Sequence, residues 1–373
     1  MLVVGGWRLV AGGRQLAAAA AAVLLLAACG GVAAPASSGP APPASAAAPP
    51  SGGAVAESLE TVKAAAAKEG KLLWYDTITQ EQGDKIIKQF QQAYPAIKDA
   101  RFLEVTSGNR VARITQESRA GGPTTDVDFE NAATTAGYYK DGFVIDVDWK
   151  GLGIQGPPQM TPTSYMVAEI AAFRGSLYNT QKVKEADAPK TYEDLIDPKW
   201  TNRMGLWARA AAFTGLWQTW GEDKLVSYIK SLAKLKPRLY DSNFTIAQAI
   251  GAGEVDVSYT DYHTTLPTVQ KGAPVKWVTI DPVPLDPLYG YVLKYGSNHN
   301  AGKLLLSWLA SPEGARAYEA VAGRGNPFVQ GSETQKLLAG HTLSSVDVNT
   351  MLQQAAHFNQ LEKQFGDILK GGG

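Results

Sequence analysis

The stretch from Lys71 to Tyr94 constrains the fold of this chain more than any other part of the sequence. Leu72 to Tyr75 form an apolar run that predicts a buried strand. A polar loop follows, in which Thr79 and Gln82 have the spacing of a helix-capping box. Apolar residues then recur at helical spacing until Pro95 ends the pattern. The stretch therefore predicts a strand that leads directly into a helix, the repeating unit of α/β folds.

Strand and helix patterns alternate through the rest of the chain. Apolar runs typical of strands are separated by helical patterns and lie at 102–105, 125–129, 204–207, 255–260 and 275–280. This alternation predicts an α/β fold with open, largely parallel sheets flanked by helices. The domain after residue 57 exceeds what one hydrophobic core usually supports, so we expect two lobes.

Residues 1–28 have the features of an export signal. Arg8 and Arg14 supply positive charge, and Leu16–Ala28 is an apolar run too short to span a bilayer comfortably as a helix. The run ends in Leu26-Ala27-Ala28-Cys29-Gly30, which resembles a bacterial lipobox, where the cysteine is lipidated and becomes the new N-terminus. The alternative is a plain secretory signal in which Cys29 is incidental.

The sequence after the signal predicts a tether and a disulfide-free domain. Residues 29–57 are rich in Ala, Pro, Ser and Gly and lack apolar periodicity, so we expect them to remain unfolded. Cys29 is the only cysteine in the chain, which excludes disulfides and thiolate nucleophiles from the domain. We predict an exported protein that is held to the cell membrane by lipid alone and faces the periplasm or the exterior.

Several function classes find no support in the sequence. The chain has 35 basic and 35 acidic residues and no basic stripe, so we predict no nucleic-acid partner. Gly151 to Gly156 match the letters of a dinucleotide-binding motif, but Pro157 and Pro158 follow, and no helix can begin there. The four histidines do not pair at zinc-site spacing. We predict no cofactor.

Polar residues follow the predicted strands and helix starts, where open α/β sheets bind ligands. The candidate ligand-binding residues are Asp76, Thr77, Ile78, Ser107, Gly108, Asn109, Glu130, Asn131, Arg209, Thr214, Asn243, Tyr262 and His263. Three of them also have a structural interpretation. Asn243 could be a helix cap, and Tyr262 could be a packed side chain next to a surface histidine.

Several segments together resemble a known family. They include Tyr178-Asn179-Thr180, the stretch Pro189 to Trp200, Ile246 to Glu254 and Leu309 to Gly314. In this order they are similar to the extracellular solute-binding proteins of bacterial ABC importers, nearest the branch that contains ferric-iron binders. The resemblance covers nearly the whole domain after the tether.

The resemblance implies a two-lobed periplasmic-binding-protein clamp with a double chain crossing. Lobe 1 would contain 58–168 plus 283–373, and lobe 2 would contain 169–282. A hinge near 165–172 and 279–284 would close the lobes around a solute. The implied partners are a small-molecule solute and an importer permease, and the implied state is a monomer with no catalytic residues.

The resemblance leaves the solute open. Iron-binding relatives place two adjacent tyrosines after the strand that corresponds to 255–260, where this chain has Asp261-Tyr262-His263. If the solute is iron, Glu130, Asp261, Tyr262 and His263 are the candidate ligands. We favour an organic or anionic solute, because Arg110, Arg113 and Arg209 would suit an anion. An exported enzyme on the same scaffold is the alternative function.

Overall fold

The computed structural model describes residues 57–154, 163–209, 211–346 and 348–371. The predicted export signal, Cys29 and nearly all of the predicted tether lie outside these residues, as does the end of the Gly151 to Gly156 motif. Within the described part of the chain, no helix combines the length and the apolar character needed to cross a membrane.

The strands form one mixed sheet. They are β1 (Lys71–Asp76), β2 (Asp99–Glu104), β3 (Val127–Glu130), β4 (Val167–Asn179), β5 (Met204–Trp207), β6 (Arg238–Tyr240), β7 (Val257–Asp261), β8 (Val275–Val278), β9 (Val283–Val292) and β10 (Leu343–Ser344). Their order across the sheet is β2-β1-β3-β9-β4-β7-β5-β6, with β10 paired to β9 and β8 paired to β4.

Helices connect and flank these strands. They are α1 (Leu59–Glu69), α2 (Gln80–Ala93), α3 (Ser107–Arg119), α4 (Ala132–Lys140), α5 (Tyr192–Leu195), α6 (Ala211–Thr214), α7 (Trp217–Trp220), α8 (Glu222–Lys234), α9 (Asn243–Ala252), α10 (Tyr262–Gln270), α11 (His299–Ala310), α12 (Pro312–Ala322), α13 (Glu333–Leu338), α14 (Val348–Gln353) and α15 (Ala355–Leu369). A 3-10 turn lies at Pro198–Trp200.

Two antiparallel strands join the halves of the sheet. The first half comprises β1, β2 and β3, and the second comprises β5 to β8; β1 pairs in parallel with β2 and β3, and β5 pairs in parallel with β6 and β7. The start of β4 pairs with β9, and its later residues, from Arg174 to Tyr178, pair with β7. The predicted α/β fold is therefore confirmed.

The start of α2 is as the sequence predicts. Thr79 is the N-cap, and its side chain and that of Gln82 form the reciprocal capping box. The helix ends at Ala93, immediately before Tyr94 and Pro95. Its apolar face packs Ile86, Ile87 and Phe90 into the first core, which shows how the amphipathic pattern orients the helix.

Three local expectations are wrong. The predicted loop at 107–109 is the first turn of α3, and Tyr262 and His263, expected in a loop, begin α10. Pro282 and Pro284 predict a break in the chain, yet β9 begins at Val283 and includes Pro284. Pro284 lies at the start of the strand, where a missing N–H is best tolerated, and it pairs with Ser344 of β10.

The apolar side chains form two large cores. The first core lies under β1 and β3 and includes Trp74, Phe90 and Leu305. The second contains Trp200 and Ile229 and also the apolar face of α15. The division into lobes stays a prediction, but these contacts join α15 to the second half of the sheet, whereas the sequence prediction placed all of 283–373 in lobe 1.

Candidate functional site

Three carboxylates stand at the carboxyl ends of strands, where the sequence predicts the site. Asp76 is the last residue of β1, Glu130 the last of β3 and Asp261 the last of β7. All three are buried. Buried carboxylates are costly unless they are paired or protonated, so the partners of these groups decide what the site can do.

Arg110 on α3 neutralises the carboxylates of the first half of the sheet. Its guanidinium lies 2.8 Å from Asp128, 2.7 Å from Glu130 and 3.4 Å from Asp76, and it is 3% exposed. Tyr291 donates a further hydrogen bond to Asp128. Burial raises the pKa of Asp128, and Arg110 opposes that rise. Arg110 is therefore committed to internal ion pairs.

Arg324 connects the two halves of the sheet. It donates to the Thr77 hydroxyl at 3.3 Å and lies 3.7 Å from Asp76, and its positive charge also acts on Asp261. The preceding Gly323 has φ 69°, and a Cβ there would lie 2.1 Å from the side chain of Leu266 on α10. The loop after α12 thus packs directly against α10.

Arg174 organises the second half of the sheet. It lies on β4 and contacts Asp261 at 2.9 Å and Asp286 at 3.2 Å. Asn243, buried at the start of α9, donates to Asp261 and accepts from the Thr260 hydroxyl. Burial raises the pKa of Asp261 against the opposing charge of Arg174. The helix cap itself is Ser242, so Asn243 has an internal polar role instead.

Tyr262 and His263 lie side by side in different surroundings. The Tyr262 ring stacks on Phe173 with centroids 5.0 Å apart and packs edge-on against Trp277. His263 is 7% exposed, contacts the Phe244 ring, and its Nδ1 has no hydrogen-bond partner among the described residues. Burial and the nearby Arg324 and Arg174 lower the pKa of His263 well below its ordinary value.

The pKa of His263 leads to a prediction about acid stability. A histidine that is neutral when folded but has a pKa near 6.5 when unfolded favours the folded state above that pH and loses this contribution as pH falls. Below pH 6.5 we expect wild type to lose stability relative to His263→Gln, by up to about 1.4 kcal/mol for each pH unit. Urea titrations from pH 7.5 to 5 measure it; a pH-independent difference would contradict the assignment.

The four candidate iron ligands do not form one cluster. Glu130 pairs with Arg110, whereas Asp261 pairs with Arg174. Among the described residues, no group of three or more His, Cys, Asp and Glu side chains could hold a metal ion. Burial also raises the pKa of Tyr262, which disfavours the phenolate that would bind iron.

The candidate set also contains Ile78, Ser107, Gly108 and Asn109. Ile78 is buried in the first core, and Ser107 and Gly108 begin α3. Asn109 is exposed and donates to the Thr106 hydroxyl. The contacts of these residues are those of an ordinary strand–helix turn. They do not by themselves identify a ligand site.

A solute-sized cavity lies between the two halves of the sheet. Its volume is about 310 Å³, and it is lined by Asn131 and Thr134 at the start of α4, by Thr214 at the end of α6, by Asp286 on β9, and by α14 and α15. Asn131 and Thr214 belong to the predicted set. The cavity therefore brings together residues from both sides of the crossing strands.

A second cavity of about 340 Å³ adjoins the first and shares Asn359 and Glu362 with it. Arg209, another predicted residue, lines this second cavity and lies 5.9 Å from the centroid of the Trp207 ring. Arg209 is exposed, unlike Arg110. Of the three arginines expected to suit an anion, Arg113 pairs with Glu117 at 2.7 Å, so Arg209 remains as the candidate.

The predicted ligand-binding set does not include four charged residues that lie at the site: Arg174, Asp286, Arg324 and Glu362. Arg174 had a readable signal, because a charged residue among apolar and small neighbours in a buried strand must find a buried partner. The other three have no comparable local signal. Glu362 reaches the cavity only because α15 packs against α8 and α6, more than 100 residues away in the chain.

Comparisons of sequence identify similar proteins. A sequence model of the family described as bacterial extracellular solute-binding protein matches residues 161–354. The major ferric iron-binding protein of Neisseria gonorrhoeae is 28% identical over 214 residues, which cover 54% of this chain and 64% of that protein. The aligned part is thus just under two thirds of the relative's length.

Comparisons of structure identify the same fold. The crystal structure of iron-bound HitA from Pseudomonas aeruginosa has a TM-score of 0.65 and 21% identity and covers 79% of this chain and 99% of its own. The periplasmic binding protein AfuA from Actinobacillus pleuropneumoniae, solved with fructose-6-phosphate, has a TM-score of 0.64 and 21% identity, with 80% and 98% covered. Both support a two-lobed binding-protein fold.

Proposed function

Because this chain belongs to the family of bacterial extracellular solute-binding proteins, we propose that it is the lipid-anchored receptor of an ABC importer. In this function it binds a small organic solute between its two lobes, as a monomer, and delivers it to the importer permease. Lobe closure around β4 and β9 would retain the solute until the permease is reached.

The 310 Å³ cavity is the observation that carries the proposal. Its volume is at the lower end of the range for small-molecule sites. Its walls combine side-chain amides, hydroxyls and carboxylates with the Phe358 ring, a lining that can bind a polar organic molecule by hydrogen bonds. The anionic solute that we also considered would have to rely mainly on Arg209, since Arg110 and Arg113 have acidic partners.

Ferric iron is the second candidate solute. The names of the sequence relatives favour it, because they include ferric iron-binding proteins. The side chains favour it less. A ferric site would require Glu130 and Asp261 to leave their arginine partners and Tyr262 to lose its proton.

Native mass spectrometry of the purified exported protein, with metal analysis of the same sample, tests the solute. We expect a bound organic molecule of small mass and no stoichiometric iron. A ferric complex with a visible phenolate-to-iron band that Tyr262→Phe abolishes would instead establish iron binding. If the protein chemically converts the eluted molecule, the enzyme alternative is correct; we expect it to release the molecule unchanged.

The lipid anchor gives a separate prediction. We expect Cys29→Ser to leave the precursor without a lipid and to release the protein from membranes, since Cys29 is the only acylation site that the lipobox offers. Solute affinity should not change. Membrane fractionation and intact-mass measurement provide the readout, with Ser38→Ala in the tether as the control. A Cys29→Ser protein that still carries a diacylglyceryl group would refute the anchor.

A further inference from the structure

Two carboxylates occupy the wall of the 310 Å³ cavity where β9 faces α15. Asp286 lies on β9, and its side chain is 41% exposed. Glu362 lies on the cavity side of α15 and is half-buried. No lysine or arginine is among the cavity's described lining residues. The cavity wall therefore carries more negative than positive charge.

The nearest cation does not balance this charge. Arg174 contacts Asp286 at 3.2 Å but also pairs with the buried Asp261 at 2.9 Å. One guanidinium is thus shared by two carboxylates, and Glu362 adds a third negative charge. Arg209, in the adjoining cavity, lowers the pKa of Glu362, but it is the smallest of the effects on that pKa.

Glu362 is the group left without a partner. Among the described residues, its carboxylate makes no hydrogen bond and no ion pair. Burial raises its pKa, the negative charge of Asp286 raises it further, and the positive charges of Arg174 and Arg209 oppose this rise. A half-buried carboxylate that repels its neighbour is unfavourable in the empty protein, and a positively charged group between the two would relieve the repulsion.

We propose that Glu362 and Asp286 bind a protonated amine or quaternary ammonium group of the solute. This inference rests on the proposed receptor function and adds the chemical class of the solute. Glu362 is then a specificity residue supplied by the C-terminal helix. The Phe358 ring in the same wall offers a surface on which a cation can also be favourable.

Matched pairs of probes test the charge requirement on the complete exported protein. The amines are putrescine and choline, and their neutral counterparts are 1,4-butanediol and 3,3-dimethylbutanol. We expect an amine to bind measurably by calorimetry and to raise the melting temperature, and its neutral counterpart to do neither. If no amine binds more tightly than its counterpart, the inference is wrong.

The variant Glu362→Gln tests the residue. We expect it to bind the amine at least tenfold more weakly, while the empty variant melts at or above the wild-type temperature, because a repulsion has been removed. A purely structural role would give the reverse, with lower stability and unchanged affinity. Glu313→Gln, exposed at the start of α12, is the control and should change neither.

The result separates this inference from the receptor function. A neutral or anionic organic solute that co-purifies and binds wild type and Glu362→Gln equally would overturn the ammonium site and leave the receptor intact. Stoichiometric ferric iron with no organic solute would overturn the ammonium site and the organic solute, and it would leave a receptor for iron.

Discussion

Arg110→Met should reduce the free energy of unfolding by about 3–5 kcal/mol, the usual cost of removing one partner from a buried ion pair. Arg110 is 3% exposed and contacts three carboxylates, so its loss leaves Asp76, Asp128 and Glu130 with an uncompensated negative charge. Arg324 near Asp76 would remain, but at 3.7 Å it is not positioned to replace Arg110. Urea denaturation at pH 7 measures the change.

Arg113→Met is the matched control one turn along α3. Arg113 is 44% exposed on its side chain and pairs with Glu117 within the helix, so we expect a change below about 1 kcal/mol. The deficit of Arg110→Met should also shrink as pH falls, because Asp128, whose pKa burial raises, can then be protonated. Equal stability of the two variants would show that Arg110 is not the centre of the network.

Phe365→Ala should cost about 3–5 kcal/mol of stability, as expected for a large aromatic removed from a core. Phe365 on α15 is fully buried in the second core, together with Phe358, Leu361, Ile368 and Leu369. The exposed neighbour Gln364 provides the control, and Gln364→Ala should change stability by no more than about 0.5 kcal/mol.

Thermal and urea denaturation of Phe365→Ala and Gln364→Ala measure the loss of stability that each substitution causes. A deletion that ends the chain at Gln354 removes all five buried side chains of α15, and we expect it to yield no cooperatively folded protein. If Phe365→Ala were as stable as Gln364→Ala, α15 would have to be a loosely attached appendage and could not be part of the second core.

The sequence predicts best those features that depend on neighbouring residues. The capping box at Thr79 and Gln82 and the strand predicted at 204–207, which is β5, are of this kind. The prediction fails at α10, because Pro267 lies inside that helix and interrupts its pattern, and because Asp261 at the N-cap pairs with Arg174 and makes no cap bond. Pairing between distant strands, as for Pro284 of β9 with Ser344 of β10, is equally invisible to local pattern.

The sequence predicts where the candidate site lies, but it does not predict which of the charged side chains there are paired. Strand ends indicated Asp76 and Glu130, and helix starts indicated Asn131. Which carboxylates are neutralised depends on arginines that come from other elements, such as Arg110 on α3 and Arg174 on β4. Glu362 could not be found from its spacing, because its helix has an ordinary amphipathic pattern and its environment is supplied by distant residues.

The position of α14 and α15 has a consequence for the order in which the protein assembles. α14 contacts α4, while α15 contacts α6 and α8, so both helices contact elements that lie more than 100 residues away in the chain. Contacts at such separation form late, because the intervening chain must be ordered first. The 310 Å³ cavity and the second core are therefore complete only after α14 and α15 have docked.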